Sequence, residues 1–378
     1  MNERRGARAG PTRRDVLAAS LAAIAPLAAC TRDAGSAHEG GWVGADAARG
    51  HLLRSGWPAT KSGRPPEVAL TRRAGAIVVG AGIAGLGAAR ALGRAGVDDC
   101  QVLELEDSAG GNSRGHVMAG MRCPLGAHYL PVPGPAASEV IELLDELGVR
   151  RSVAGRPVYD ERVLCHSPQE RLFIDRGWRE GLLPPVEALP AAQRATTLAD
   201  YRAFSAAVAA ASDEGAFEIP TARSRWTDSL AALDRVTFAG WLDAHGLRAP
   251  ALRWYLDYCC RDDYGAGSAD VSAWAGLHYF ASRHGFRLQD DARSADGEAG
   301  VLTWPEGNAW LAQRLAAPLG ERLQRGRVVL AVEEGRHEVS VDAWNAATSQ
   351  RERWLAPRVV LATPLFVAAR LLAAPPPA

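Results

Sequence analysis

Lysine is almost missing from this chain: Lys61 is the only one in 378 residues, and arginine carries the rest of the positive charge. Any chemistry between residues 76 and 378 therefore runs without a lysine side chain. Net charge is missing too. Lys+Arg and Asp+Glu are both 43, so no net field points to nucleic acid or anionic lipid. Cysteine is sparse. Apart from Cys30, the chain has Cys100, Cys123, Cys165, Cys259 and Cys260. An odd number without metal-type spacing argues against both a disulfide framework and a zinc site, and no metal is expected. The adjacent Cys259-Cys260 reads either as a redox pair or as small apolar residues buried on a helix. Long apolar runs are also missing. Val16–Ala29 carries no charge, but fourteen residues fall short of the roughly 20 that span a bilayer. There is no internal repeat.

What the N-terminus does have is an address. Met1–Arg14 carries Arg4, Arg5, Arg8, Arg13 and Arg14 against Glu3, and the short apolar stretch follows. A basic region followed by a short apolar core is a secretory signal. Thr12–Leu17 resembles the twin-arginine export motif, and Leu27–Cys30 resembles a bacterial lipobox, in which Cys30 becomes lipidated. The expected partners are the twin-arginine translocase and then a membrane reached through the lipid. The expected location is the periplasmic or extracytoplasmic face of a bacterial membrane.

The most informative stretch begins at Ala76. Gly80, Gly82 and Gly85 form G-x-G-x-x-G directly after the apolar run Ala76–Val79. Gly80 allows the tight turn, Gly82 lets a pyrophosphate approach the backbone, and Gly85 lets the following helix pack against the sheet. The helix opens at Ile83 and Ala84, whose N–H groups and positive dipole end favour phosphate. Glu104, 19 residues beyond Gly85, ends a second β-like run, where a carboxylate can accept hydrogen bonds from both ribose hydroxyls of an adenosine. With 39 glycines in the chain the glycines alone would say little; the strand, helix and acid around them indicate a bound dinucleotide.

The chain divides into a signal with lipobox (1–30), a tether and N-terminal arm (31–75), a first nucleotide-binding part (76–130), a mainly helical substrate domain (131–300) and an incomplete return to the nucleotide-binding domain (301–378). Trp42 and Trp57 imply that part of the arm is docked. Helices are expected over Ser138–Leu147, Ala191–Ser212, Ser229–Gly246, Ala251–Asp263 and Val271–Arg283, with a hairpin within Val158–Ile174. Val328–Val332, Glu338–Trp344 and Arg351–Leu355 read as a strand meander, and Arg358–Thr363 as a short buried strand.

Glu104 does not by itself separate FAD from NAD. Gly110-Gly111, six and seven residues further on, supplies a second glycine turn. The combination resembles the FAD-dependent amine oxidase and desaturase superfamily, and within it the exported twin-arginine branch. Gly126-Ala127-His128-Tyr129 sits where that superfamily runs a Gly-Ala pair beneath the flavin. Val329-x-x-Val332 matches its adenine-side strand, and Arg358–Pro364 its strand ending in Ala-Thr-Pro. Tyr258–Gly265 and Leu302–Asn308 look like features of the branch. The resemblance covers most of residues 76–365. It implies an α/β fold, with a Rossmann-like FAD-binding domain of the glutathione-reductase type and an inserted helical substrate domain. It also implies hydride transfer from an unidentified small molecule to flavin.

Two departures stand out. Ser108 and Asn112 occupy positions where amine oxidases usually carry arginine, leaving Arg114 as the nearest cation for the pyrophosphate. Only 14 residues (365–378) follow Pro364, so the superfamily's closing strand and Gly-rich turn are expected to be absent, as in a truncated product.

The cofactor-binding candidates are therefore Gly80, Gly82, Ile83, Ala84, Gly85, Glu104, Gly110, Gly111, Arg114, Gly126, Ala127, His128 and Val329. No catalytic acid or base stands out. His128 faces the flavin or serves as a hydrogen-bonded structural residue. Arg261, Asp262 and Tyr264 bind a charged substrate or end a helix in solvated ion pairs. Trp274 and His278, one helical turn apart, line a pocket or pack a core. Trp304, a further substrate-binding candidate, lies in a turn before a helix for which Asn308 is the expected N-cap. Two other functions stay open: a lipid-tethered, non-catalytic remnant of the fold, and an NAD(P)-binding dehydrogenase, against which Gly110-Gly111 argues.

Overall fold

Continuous short apolar runs set the central sheet. In a computed structural model, which describes residues 41–58, 65–165, 170–212, 215–283, 285–288 and 300–375, four parallel strands run in the order Leu323–Gln324, Cys100–Leu103, Ala76–Val79, Val359–Leu361. Every residue of Ala76–Val79 is buried, as a continuous apolar run on an inner parallel strand requires. Side chains alternate between faces, so the sheet feeds two cores. Ala76, Val78, Cys100 and Val102 pack with Leu86 of helix Ile83–Arg94 and with Ala312 and Leu315 of helix Ala309–Ala316. Ile77, Val79 and Leu103 face the other way, onto Val329, Val332, Val341 and Trp354 of a second sheet.

That second sheet is the expected meander, Arg327–Glu334, Val339–Asn345 and Gln350–Ala356, with one addition. Val68–Arg73 of the arm pairs in parallel with Gln350–Ala356, so the arm is part of the fold and not only a tether. The arm also forms a helix, Ala47–Ser55. Trp57 lies under the Arg351 guanidinium, 4.9 Å from ring centre to Cζ. Residues 41–45 belong to a unit separate from 46–378, and Trp42 there is fully exposed. The twin-arginine stretch, the lipobox with Cys30, and Lys61 lie outside the described residues.

The expected helical domain needs two corrections. Its first part is built of short strands. Arg150–Val153 pairs with Arg156–Tyr159 and Arg171–Ile174 with Gly177–Glu180, in place of one hairpin across Val158–Ile174. Two tight turns decide this, one through Ala154-Gly155 and one through Asp175-Arg176, all four residues at positive φ. Leu164–Cys165 instead joins Val301–Thr303 and Tyr129–Pro131 in a three-stranded sheet. The helix expected over Ser229–Gly246 is two, Asp228–Asp234 and Phe238–Ala244. Tertiary pairing breaks it: Phe238 N–H donates to Val271 C=O and Ala273 N–H to Val236 C=O (2.8 and 2.9 Å), and the Thr237 hydroxyl caps the second piece.

Helices Ala191–Ala211, Pro250–Tyr264 and Ala273–Ala281 form as expected around Phe204, Phe238, Leu252, Leu256, Leu277 and Phe280. Cys259 and Cys260 are both buried in that core, where burial pushes each thiol up to about 12. They are packing residues and not a redox pair. The described cysteines are all free, and the described residues contain no metal-type cluster. No described helix is long and apolar enough to cross a membrane.

Candidate functional site

The two glycine turns meet backbone to backbone. Gly80 leaves its strand at φ +97°, and a Cβ there would stand 2.8 Å from the Ala362 carbonyl oxygen. At Gly85 the obstruction is far worse: a Cβ would lie 1.8 Å from the Gly80 carbonyl oxygen. Gly82 is different, with only Gly111 Cα at 4.0 Å facing its missing Cβ. Gly110 N–H donates to Ala81 C=O at 2.8 Å, and a Cβ at Gly111 would come within 3.2 Å of Gly82 Cα. Main chain therefore lines both walls between Gly82 and Gly111. The first helical hydrogen bond runs from Leu86 N–H to Gly82 C=O. The N–H groups of Ile83, Ala84 and Gly85 thus precede the helix's own acceptors, the arrangement that favours an anion.

Glu104 ties the first of these turns to the loop that leads to the second. Its buried carboxylate accepts Ala81 N–H on Oε2 (2.7 Å) and Glu106 N–H on Oε1 (2.9 Å). Burial raises its pKa above the ordinary carboxylate value, and the two N–H donors oppose that shift without cancelling it. Each oxygen keeps a lone pair for a further donor. Arg327 N–H donates to Glu104 C=O (2.8 Å), so the strand carrying the buried Val329 starts against Glu104. Arg114 lies beside the second turn: its Nε donates to Gly111 C=O (3.0 Å), and a guanidinium nitrogen is 3.5 Å from the Glu106 carboxylate.

Gly126-Ala127 packs directly on this segment. Ala127 N–H donates to Asn112 C=O at 2.8 Å, and a Cβ at Gly126 would lie 2.4 Å from that oxygen. His128 is exposed; its Nδ1 is 3.4 Å from Gly126 C=O and its ring meets Tyr129 edge-on. The Trp304–Asn308 turn supports the pair from below. Thr303 Oγ1 donates to His128 C=O (2.8 Å) and Asn308 Nδ2 to Tyr129 C=O (2.9 Å). Asn308 thus occupies the N-cap position without capping; its amide ties the turn to the neighbouring strand instead. Trp304 is buried and stacked on Trp310, 4.9 Å and 5° apart.

The remaining sequence candidates have partners elsewhere. Arg261 pairs with Asp257 (2.7 Å), Tyr264 OH donates to Ala275 C=O (2.8 Å), and Asp262 is exposed at the end of the same helix. Trp274 stacks on His278 and packs against Phe217 and Trp226. His278 Nε2 lies 2.9 Å from Glu218 C=O, and burial holds its pKa below the ordinary imidazole value despite that contact. Arg261 and Tyr264 are thus exposed with partners on their own or the next helix, while Trp274 and the buried His278 pack against Phe217. Asp46, Arg49 and Glu106, which line the outer side of the Glu104 loop, carried no signal in the sequence because their partners are some 60 residues apart.

Residues 83–378 match the family of flavin containing amine oxidoreductases, and the chain belongs to that family. It is 32% identical over 119 residues to polyamine oxidase 7 of Oryza sativa subsp. japonica, covering 29% of this chain and 25% of that protein. Its fold is similar to that of a putrescine oxidase solved with putrescine bound, with TM-score 0.57 and 23% identity over 81% of this chain and 62% of that one. It is also similar to cyclohexylamine oxidase from Brevibacterium oxydans IH-35A, with TM-score 0.56 and 20% identity over 80% and 61%. The chain thus matches a quarter of the curated relative and spans about three fifths of these solved structures. The architecture is a mixed α/β fold like that of these amine oxidases, and the family is a flavin-containing one, for which FAD is the dinucleotide form. The residues fit that cofactor: the abutting turns at Gly82 and Gly111 carry no side chain to keep a diphosphate off the main chain, and Glu104 keeps lone pairs for ribose hydroxyls. The family gives no support to the NAD(P) reading.

Proposed function

We propose that this chain is an amine-oxidase-like oxidoreductase whose FAD lies across the Gly82–Gly111 cradle. The supporting observation is the approach of two glycine turns with no side chain between them, closed on one side by Glu104. Residues 76–130 and 301–378 make up a Rossmann-like FAD-binding domain of the glutathione-reductase type, and 131–300 the substrate domain. FAD, when bound, supplies a hydride acceptor for a C–H next to nitrogen. The N–H groups of Ile83 and Ala84 bind its diphosphate, Arg114 neutralises part of that charge, and Glu104 orients the ribose. Gly126-Ala127 packs its main chain on Asn112 beside His128. The oxidising relatives make a small amine the first substrate class to try.

Titration with FAD tests the reading. A folded preparation should quench flavin fluorescence saturably, with NAD⁺ failing to compete, and an amine substrate should bleach the bound flavin anaerobically. A well-folded protein that leaves FAD free in solution overturns the proposal. Binding without bleaching by any amine in a panel would leave the non-catalytic reading in place. The N-terminal address is a separate proposal, supported by Thr12–Leu17 and Leu27–Cys30. Arg13→Lys with Arg14→Lys should hold the precursor in the cytoplasm, and normal export and lipidation of that variant would refute the twin-arginine route.

A further inference from the structure

The arm lies outside the region that matches the family, which starts at residue 83, yet it grips the loop that carries Glu104. Asp46 N–H donates to both carboxylate oxygens of Glu106, at 3.0 and 3.2 Å. The Arg49 guanidinium donates to Leu105 C=O (3.1 Å) and to both oxygens of Asp107 (2.8 and 3.2 Å). The Asp46 side chain caps the arm helix at Arg49 N–H (3.1 Å) and lies 3.3 Å from Arg49 Nε, which fixes these donors relative to one another. Three consecutive residues after Glu104 are therefore held by one short helix.

The grip continues into the cradle. Glu106 N–H donates to Glu104 Oε1, and the Glu106 carboxylate faces Arg114, whose Nε holds Gly111 C=O. One path thus runs from the arm through Glu106 to the ribose carboxylate on one side and the second glycine turn on the other. Arg49 is well placed to transmit it. Its side chain is only 20% exposed, and its two-pronged contact with Asp107 resists rotation better than a single surface ion pair.

We propose that Asp46–Arg49 is a clasp that preorganises the FAD cradle, with Arg49 a positioning residue that never touches the cofactor. The inference rests on the FAD reading above. If the arm tightens FAD binding, FAD must tighten arm docking by the same factor. That reciprocity separates a clasp from a merely stabilising contact.

The test uses the full chain and two measurements. The first is the FAD dissociation constant by flavin fluorescence; the second is amide hydrogen exchange of residues 47–55 with and without FAD. In Arg49→Gln, FAD should bind roughly five- to tenfold more weakly, the low end of measured couplings. In the wild type, FAD should slow exchange in 47–55 by a similar factor, and in Arg49→Gln it should not. Arg49→Lys keeps the charge but loses the fork, so it should fall between the two. Unchanged FAD affinity in Arg49→Gln, or arm exchange that ignores FAD in a wild type that binds it, overturns the clasp and leaves the cradle standing. A wild type that binds no FAD overturns both.

Discussion

Gly85→Ala should abolish FAD retention and cut the yield of folded protein. The added methyl would stand 1.8 Å from the Gly80 carbonyl oxygen, 2.9 Å from the Gly80 carbonyl carbon and 3.2 Å from Ala362 Cβ. The two closest obstacles are main-chain atoms of the turn that delivers Gly82, so no side chain can swing away to relieve the clash. The helix Ile83–Arg94 must move off the sheet, taking its N-terminal N–H groups out of line with Gly111. Alanine's better helix propensity contributes only about 1 kcal/mol, against roughly 1–3 kcal/mol or more for overpacking. Gly87→Ala in the same helix meets nothing within 4 Å and should raise the thermal midpoint slightly. Thermal melts and FAD titration of the pair check the argument, and a Gly85→Ala protein that melts and binds like wild type would refute this account of the turn.

Glu104→Ala is expected to have the second largest effect. It deprives FAD of charge-assisted hydrogen bonds of about 1.5–3 kcal/mol each, and it leaves the N–H groups of Ala81 and Glu106 without their acceptor. The loss of FAD affinity should therefore exceed any loss of stability, because removing a buried carboxylate also removes its desolvation penalty. Glu104→Gln separates the terms through pH. The folded carboxyl titrates above its ordinary value, chiefly through burial. Its contribution to the stability of the cofactor-free protein is therefore complete below the ordinary carboxylate value and is lost as pH rises through the folded one. The stability difference between wild type and Glu104→Gln should shrink with rising pH in that window. A difference that grows with pH would mean the carboxylate is stabilised in its charged form.

Much of the cradle was legible because it is local. Strand, turn, helix and second strand lie within Ala76–Gly111, and Gly80 and Gly85 answer steric demands made by neighbours close in sequence or by the sheet they enter. The pairing of Gly110 with Ala81, by contrast, needed the second strand to come home in register. The helical core was legible from periodicity, except where tertiary hydrogen bonds from Val271 and Ala273 cut Ser229–Gly246 in two. The substrate candidates were a different matter. Arg261, Tyr264, Trp274 and His278 share a helix face or a helix end, and a sequence cannot say whether such a cluster faces a pocket or its own core.

The sequence by itself determined the dinucleotide motif, the alternation that buries both faces of Ala76–Val79, and the family resemblance, because each depends on residues near one another in the chain. Only the tertiary structure decided that the arm joins the meander, that Glu106 links Asp46 to Arg114, and that Glu104 ties Ala81 to Glu106. Those contacts depend on long-range closure: groups dozens of residues apart interact only once the sheet has fixed their distance, and no local pattern encodes that distance.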